Sequence, residues 1–154
     1  MEAEKISIRR CEDIDTLMRW RREVIGNVFG LVPDTALMEE NRRYYESHVK
    51  TGRHIALIAD YEGCGAGCGS VCFTEELPSP DNPCGKCAYL MNIYVREPFR
   101  AKGVGHAVVR RLISLAREAG CGKIYLETTE KGRSLYESLG FADLPDMMKL
   151  KETR

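Results

Sequence analysis

The chain opens on a strand signal. In EKISIRR (Glu4–Arg10), Ile6 and Ile8 alternate with polar residues, the period of a strand with one buried face. From Glu12 to Val28 the period lengthens. Ile14, Leu17, Met18, Val24 and Ile25 recur at helical spacing until Gly26 and Gly30 break the run. VPDTALMEENRRYYESHVKTG predicts a second helix, entered through Pro33 and Asp34 and ended by Gly52. HIALIADY (His54–Tyr61) is an apolar strand run, GCGAG turns the chain, and GSVCFTEEL (Gly69–Leu77) is a third strand. Pro78–Gly85 holds three prolines and is a loop. CAYLMNIYV (Cys87–Val95) is almost wholly apolar, as a central strand buried on both faces would be. A helix over Val104–Ala119 follows, with Val104, Val108, Leu112, Leu115 and Ala119 on one stripe and Gly120 at its end. KIYLETT (Lys123–Thr129) predicts a fifth strand, KGRSLYESLG (Lys131–Gly140) a short helix and MMKLK (Met147–Lys151) a last strand.

Consecutive hairpins in the first half require antiparallel pairing, and the strand–helix–strand unit Cys87–Thr129 requires one parallel crossover. The expected fold class is α/β (α+β): a mixed, mostly antiparallel central sheet of six to seven strands, flanked by helices on both faces. At 154 residues the chain is read as a single domain over residues 1–154, long enough for a real core.

Composition narrows the function. Lys+Arg and Asp+Glu balance at 23 each, which argues against a general nucleic-acid or membrane-surface binder while leaving room for a local basic pocket. The N-terminal stretch MEAEKISIRRCEDID lacks an apolar signal-peptide core, and no apolar run approaches the ~20 residues of a membrane helix, so a cytoplasmic protein is expected. The seven cysteines are then expected as reduced thiols. A zinc site in CGAGCGSVC and CGKC is the sharper reading of Cys64, Cys68, Cys72, Cys84 and Cys87. A strand from Cys68 to Leu77 would hold the two clusters ~30 Å apart, too far to share an ion, so small residues filling strand and turn positions are preferred and no metal is expected.

The loop RAKGVG (Arg100–Gly105) stands immediately ahead of the Val104–Ala119 helix. Helix starts favour Asp, Glu, Ser or Thr, because the exposed amides there form a partial positive pole. Here Arg100 and Lys102 flank that pole instead, and two glycines let backbone amides approach a ligand closely. The combination is an anion cradle with phosphate as its natural guest. A P-loop is excluded because no Gly-x4-Gly-Lys-Ser/Thr is present. The dinucleotide fingerprint fits only at Gly103 and Gly105: Val108 occupies the third position, seven residues separate Val95 from Gly103, and four strands precede the motif.

YLMNIYVREPFRAKGVGHAVVRRLISLA resembles the acetyl-CoA signature of the GNAT N-acetyltransferase superfamily, through its apolar strand, loop, Arg100, Gly103, Gly105 and helix. The family's second block is matched by KIYLETT followed by KGRSLYESLGF, with Tyr136, Leu139, Gly140 and Phe141 in the family's Tyr-x-x-Leu-Gly-Phe pattern. Together the blocks cover Tyr89–Phe141. The chain departs from the family at Thr129 and Gly132, where Asn and Ala are usual.

The resemblance implies acetyl-CoA as cosubstrate. Its pyrophosphate would rest on the amides of Arg100, Ala101, Lys102, Gly103, Val104, Gly105 and His106, and Thr129 would hydrogen-bond the cofactor in place of the family's Asn. Its pantetheine arm would pair with Ile93, Tyr94 and Val95, where the fourth and fifth strands splay. The amide of Ile93 or Tyr94 would meet the developing oxyanion. Tyr136 matches the family's usual acid for the leaving thiolate. The base is sought among Glu75, Glu76 and Glu127, with Glu76 taken first. Asn92, polar within an apolar strand, needs a partner.

The acceptor, a small-molecule or peptide amine, is expected between the first two helices, over Trp20–Asp34 and Pro78–Cys84. There Arg21, Arg22 and Glu23 suit either an anionic or a cationic acceptor. His48 and His54 read as surface or strand-edge residues, and His106 as a backbone contact. Family members are often dimers, which makes a homodimer an expectation by analogy. The leading reading is an acetyl-CoA-dependent N-acetyltransferase. Its alternatives are a non-catalytic acyl-CoA-binding module and a nucleotide-dependent oxidoreductase.

Overall fold

The computed structural model describes residues 4–152. Its elements run β1 (Ile6–Cys11), α1 (Ile14–Phe29), α2 (Thr35–His48), β2 (His54–Tyr61), β3 (Cys64–Glu75), β4 (Lys86–Val95), α3 (Val104–Glu118), β5 (Lys123–Leu126) and α4 (Arg133–Ser138), with 3-10 turns at Glu97–Phe99 and Glu130–Gly132. The strands form one sheet in the order β1-β2-β3-β4-β5, antiparallel throughout except for the parallel β4–β5 pair.

Two cores sandwich the sheet. Ile55, Leu57 and Ala59 of β2 with Ala88 and Leu90 of β4 pack beneath Val104, Val108, Leu112 and Ala116 of α3. The alternate residues Ala56, Ile58 and Cys68 pack against Leu17, Trp20 and Val24 of α1 and Tyr45 of α2. This is the period-two pattern read out on both faces. Asp13 and Asp34 cap α1 and α2 through their side chains, accepting from the amides of Thr16 and Leu37.

The described sheet has five strands, not six to seven. MMKLK forms none: Met148 and Leu150 are 100% and 92% exposed, so its alternation buries no face and pairs with no neighbour. A second correction concerns GCGAG. Only its Gly63 turns the chain, together with Glu62, both at positive φ (48° and 83°), and Cys64–Gly67 belong to β3, which starts at Cys64. Glycine is used in this strand because the neighbours come close. A Cβ on Gly69 would lie 2.5 Å from Val108 Cγ1, and one on Gly67 would lie 2.6 Å from the Tyr94 carbonyl oxygen.

Candidate functional site

Two irregularities of β4 make the site. Opposite β3, Cys68 pairs with Tyr94 and Ser70 with Met91, so β4 carries one extra residue there. The bulge falls beside Asn92, whose φ is 57°. It reverses the facing of the strand: Ala88 and Leu90 point to α3 before it, and Ile93 and Val95 do so after it. The second irregularity is the end of the β4–β5 pairing at Leu90–Leu126. From Met91 to Val95 one edge of β4 therefore has no strand partner.

Beyond that edge lies the start of α3. Gly103, at φ 87°, is its cap residue, and no side chain caps the helix. The first intrahelical bond runs from the Ala107 amide to the Gly103 carbonyl, which leaves the amides of Val104, Gly105 and His106 without a helical acceptor. No acid stands in the first turn. Gly105 admits α4: a Cβ there would meet Leu135 Cδ2 at 3.2 Å and Val95 Cγ2 at 3.7 Å. The loop Arg100–Gly105 thus combines a positive pole, bare amides and close neighbours, the ingredients of an anion site.

Side chains around this loop are disposed unevenly. Arg100 donates from Nε to the Val95 carbonyl at 3.1 Å. Lys102 lies outside the cleft lining, its ammonium 5.5 Å from the Tyr61 ring centroid. His106 is tied through Nε2 to Ser138 Oγ at 2.9 Å, so its imidazole braces α4. Thr129 precedes the 3-10 turn that leads into α4 and lines the cleft. Tyr136 also lines it, 9% exposed, with Phe141 edge-on at 6.0 Å. Burial pushes its phenol above the ordinary value, so it stays protonated at neutral pH.

The cleft has a volume of about 1320 Å³ and brings together Ile93, Tyr94, Val95, Arg100, Ala101, Gly103, Val104, Gly105, His106, Thr129 and Tyr136. It does not include Glu76. That carboxylate sits near the Lys86 end of β4, accepting from Asn82 at 3.0 Å and from Lys123 at 3.2 Å. The cleft lining on β4 runs from Tyr89 to Val95, so the Lys86 end lies outside it, roughly 10 Å from Tyr89 and roughly 30 Å from Val95 at the usual rise. The Asn82 and Lys123 bonds hold Glu76 ionised below the usual carboxylate range. Of the three carboxylates considered as base, Glu127 alone lines the cleft. The Tyr89 phenol is pushed up, first by burial and then by the charge of Glu127.

The opposite wall comes from α1, α2 and β2. Arg21 donates from Nη1 to Asn92 Oδ1 at 2.8 Å and from Nε to Asn41 Oδ1 at 3.0 Å, which supplies the partner Asn92 required. Glu23 faces elsewhere, in a bidentate pair with Arg96 at 2.8 Å on each arm. The Arg96 guanidinium rests 4.2 Å from the Trp20 ring centroid, so the only tryptophan is core packing. The Pro78–Cys84 loop does not reach the cleft. His54, expected at a strand edge, is 2% exposed. Its Nδ1 pairs with the Tyr44 hydroxyl at 2.8 Å, and Nε2 has no partner among the described residues. Burial first, then the charges of His48 and Arg21, bring its pKa down to about 4.

Asn41, Tyr44, Tyr45 and His54 were not expected at the site. One signal for them existed: Asn41, Tyr44, Tyr45 and His48 recur at three- and four-residue steps along one helical face. Among the described residues no three His, Cys, Asp or Glu side chains are grouped to hold a metal ion, and no helix is long and apolar enough to cross a membrane.

Residues 16–141 match the Acetyltransferase (GNAT) family. Glucosamine 6-phosphate N-acetyltransferase 1 of Oryza sativa subsp. japonica is 29% identical over 126 residues, 79% of this chain and 74% of that protein. Thialysine N-epsilon-acetyltransferase of Sus scrofa is 27% identical over 143 residues, 79% of this chain and 80% of that protein. In overall fold the chain is similar to the crystal structure of a predicted acetyltransferase with acetyl-CoA from Clostridium acetobutylicum. That structure has a TM-score of 0.85 and 24% identity, over 95% of this chain and 96% of that one.

Proposed function

The chain belongs to the GNAT family of acetyltransferases, and from that premise we propose that it acetylates a primary amine of a small molecule or peptide by direct attack on acetyl-CoA. The observation that carries this reading is the uncapped start of α3, with three bare amides beside the unpaired edge of β4. An anionic diphosphate satisfies the first feature and an extended chain of amides the second. Acetyl-CoA supplies a pyrophosphate, a pantetheine arm with two amides and an activated thioester.

Each residue then has a definite task. The amides of Val104, Gly105 and His106 grip the pyrophosphate, while Arg100 and Ala101 shape the approach. Ile93, Tyr94 and Val95 present the strand edge, and the amide of Ile93 or Tyr94 donates to the carbonyl oxygen as negative charge develops on it. Glu127 draws the proton from the attacking amine, directly or through water. Tyr136, kept protonated by burial, donates to the departing sulfur.

The test is a panel of amines with acetyl-CoA and a thiol-release readout, with a no-amine control for the seven protein thiols. Wild-type protein should release thiol only with an amine present. Tyr136→Phe should lower kcat by about two orders of magnitude, within the usual range for a general acid, while CoA still binds. Equal turnover in the two proteins would remove Tyr136 from the mechanism.

A further inference from the structure

Arg21 presents a charge that the acetyl-transfer chemistry does not use. On the wall built from α1, α2 and β2, the other lining side chains are Val24, Val28 and Phe29, the amide Asn27, and the neutral group Asn41, Tyr44, Tyr45 and His54. Arg21 is the one full charge among these described residues. Its two protein partners are the amide oxygens of Asn41 and Asn92, and no described carboxylate lies within ion-pair distance. Those two bonds use two of the five N–H donors of the guanidinium and leave three for another partner. A cation in a partly dry cleft, with its donors unmatched and no counter-ion, is stable in company with an anion.

The neighbouring acid is committed elsewhere. Glu23 is held bidentately by Arg96 and cannot turn to neutralise Arg21. Glu127 lies in the β5 part of the cleft, beside Tyr89, where the reacting amine is proposed to lose its proton. The sequence alone allowed an anionic or a cationic acceptor from Arg21, Arg22 and Glu23. The structure removes Glu23 from that choice and keeps Arg21.

We propose that the acceptor is an amine that also carries an oxyanion group, a phosphate or a carboxylate, and that Arg21, aimed by Asn41 and Asn92, binds that group. This rests on the acetyl-transfer reading and specifies its substrate class. Arg21 thereby becomes the specificity-determining residue of the acceptor wall. Asn92 links it to the bulge of β4, so the anion is registered against the same strand that presents Ile93 and Tyr94.

Paired acceptors test the proposal. Glucosamine 6-phosphate is compared with glucosamine, and thialysine with its carboxamide, under saturating acetyl-CoA. One pair should favour its anionic member by at least about tenfold in kcat/KM, the scale of a single charge-assisted contact. Which pair does so tells phosphate from carboxylate. Arg21→Gln should collapse that ratio mainly through KM, and Arg21→Lys should restore part of it. Both variants are first checked for CoA affinity, so that misfolding is not read as lost specificity. A wild-type preference that is absent, or that survives in Arg21→Gln, overturns the proposal while leaving acetyl transfer standing. If no amine turns over, the acetyl-transfer reading fails instead. Calorimetry of the same pairs on the CoA-loaded protein then decides whether Arg21 binds the anion: an anion preference lost in Arg21→Gln upholds it, and its absence rejects it.

Discussion

The two walls of the cleft are made of different material. The α3 wall is backbone: three amides freed by a glycine cap, a strand edge freed by a lost partner, and glycines where side chains would collide. The α1–α2 wall is side chains, with Arg21, Asn41, Tyr44 and His54 drawn from two helices and a strand. A backbone site is a property of one short stretch of chain and can serve any member of a family that uses the same cofactor. A side-chain site is assembled from distant positions and can change with the acceptor.

The difference predicts separable failures. The largest concerns His54 on the side-chain wall. Its ordinary value is 6.5 and its folded value about 4. Between those limits the unfolded chain binds a proton that the folded one refuses. Stability contributed by the neutral imidazole is therefore complete above pH 6.5 and falls as pH drops toward 4. The full window amounts to about 3 kcal/mol. Urea midpoints measured between pH 6.5 and 5 should fall with a shallower slope in His54→Gln than in wild type, and parallel slopes would contradict the assignment. CoA affinity at neutral pH should change by less than about twofold, because the walls are independent in this respect.

The next effect belongs to the backbone wall. Gly105→Val places methyl groups against Leu135 and Val95 and must displace α4 or crowd the cradle. CoA should bind roughly 30-fold more weakly, about 2 kcal/mol. Calorimetry would show it, and unchanged affinity would mean that the glycine serves only chain geometry.

What the sequence revealed follows the same division. The mixed sheet, the two helical layers and the glycine loop before α3 were legible because each is written in a contiguous pattern: alternation, a helical stripe, and glycines ahead of an uncapped helix. The start of β3 lies earlier than its sequence suggests because Gly63, Gly65 and Gly67 look like turn residues, although Gly67 answers to close neighbours brought in by β4 and α3. MMKLK carries a strand period with no burial to stabilise it. Glu76 stands as a candidate base as long as its strand is placed and the end of the sheet it occupies is not. Only the sheet register shows that Glu75 pairs with Lys86, far from Val95. Arg21 and Asn92 lie 71 positions apart and meet because a bulge turns Asn92 toward α1.

The central claim is that the bare amides at the start of α3 hold the diphosphate of CoA. Amide chemical shifts recorded while CoA is titrated into the isotope-labelled protein test it directly. The largest movements should fall on Val104, Gly105 and His106, followed by Ile93–Val95 on the open edge of β4. Saturable binding that leaves those three amides unmoved and perturbs another surface would contradict the account.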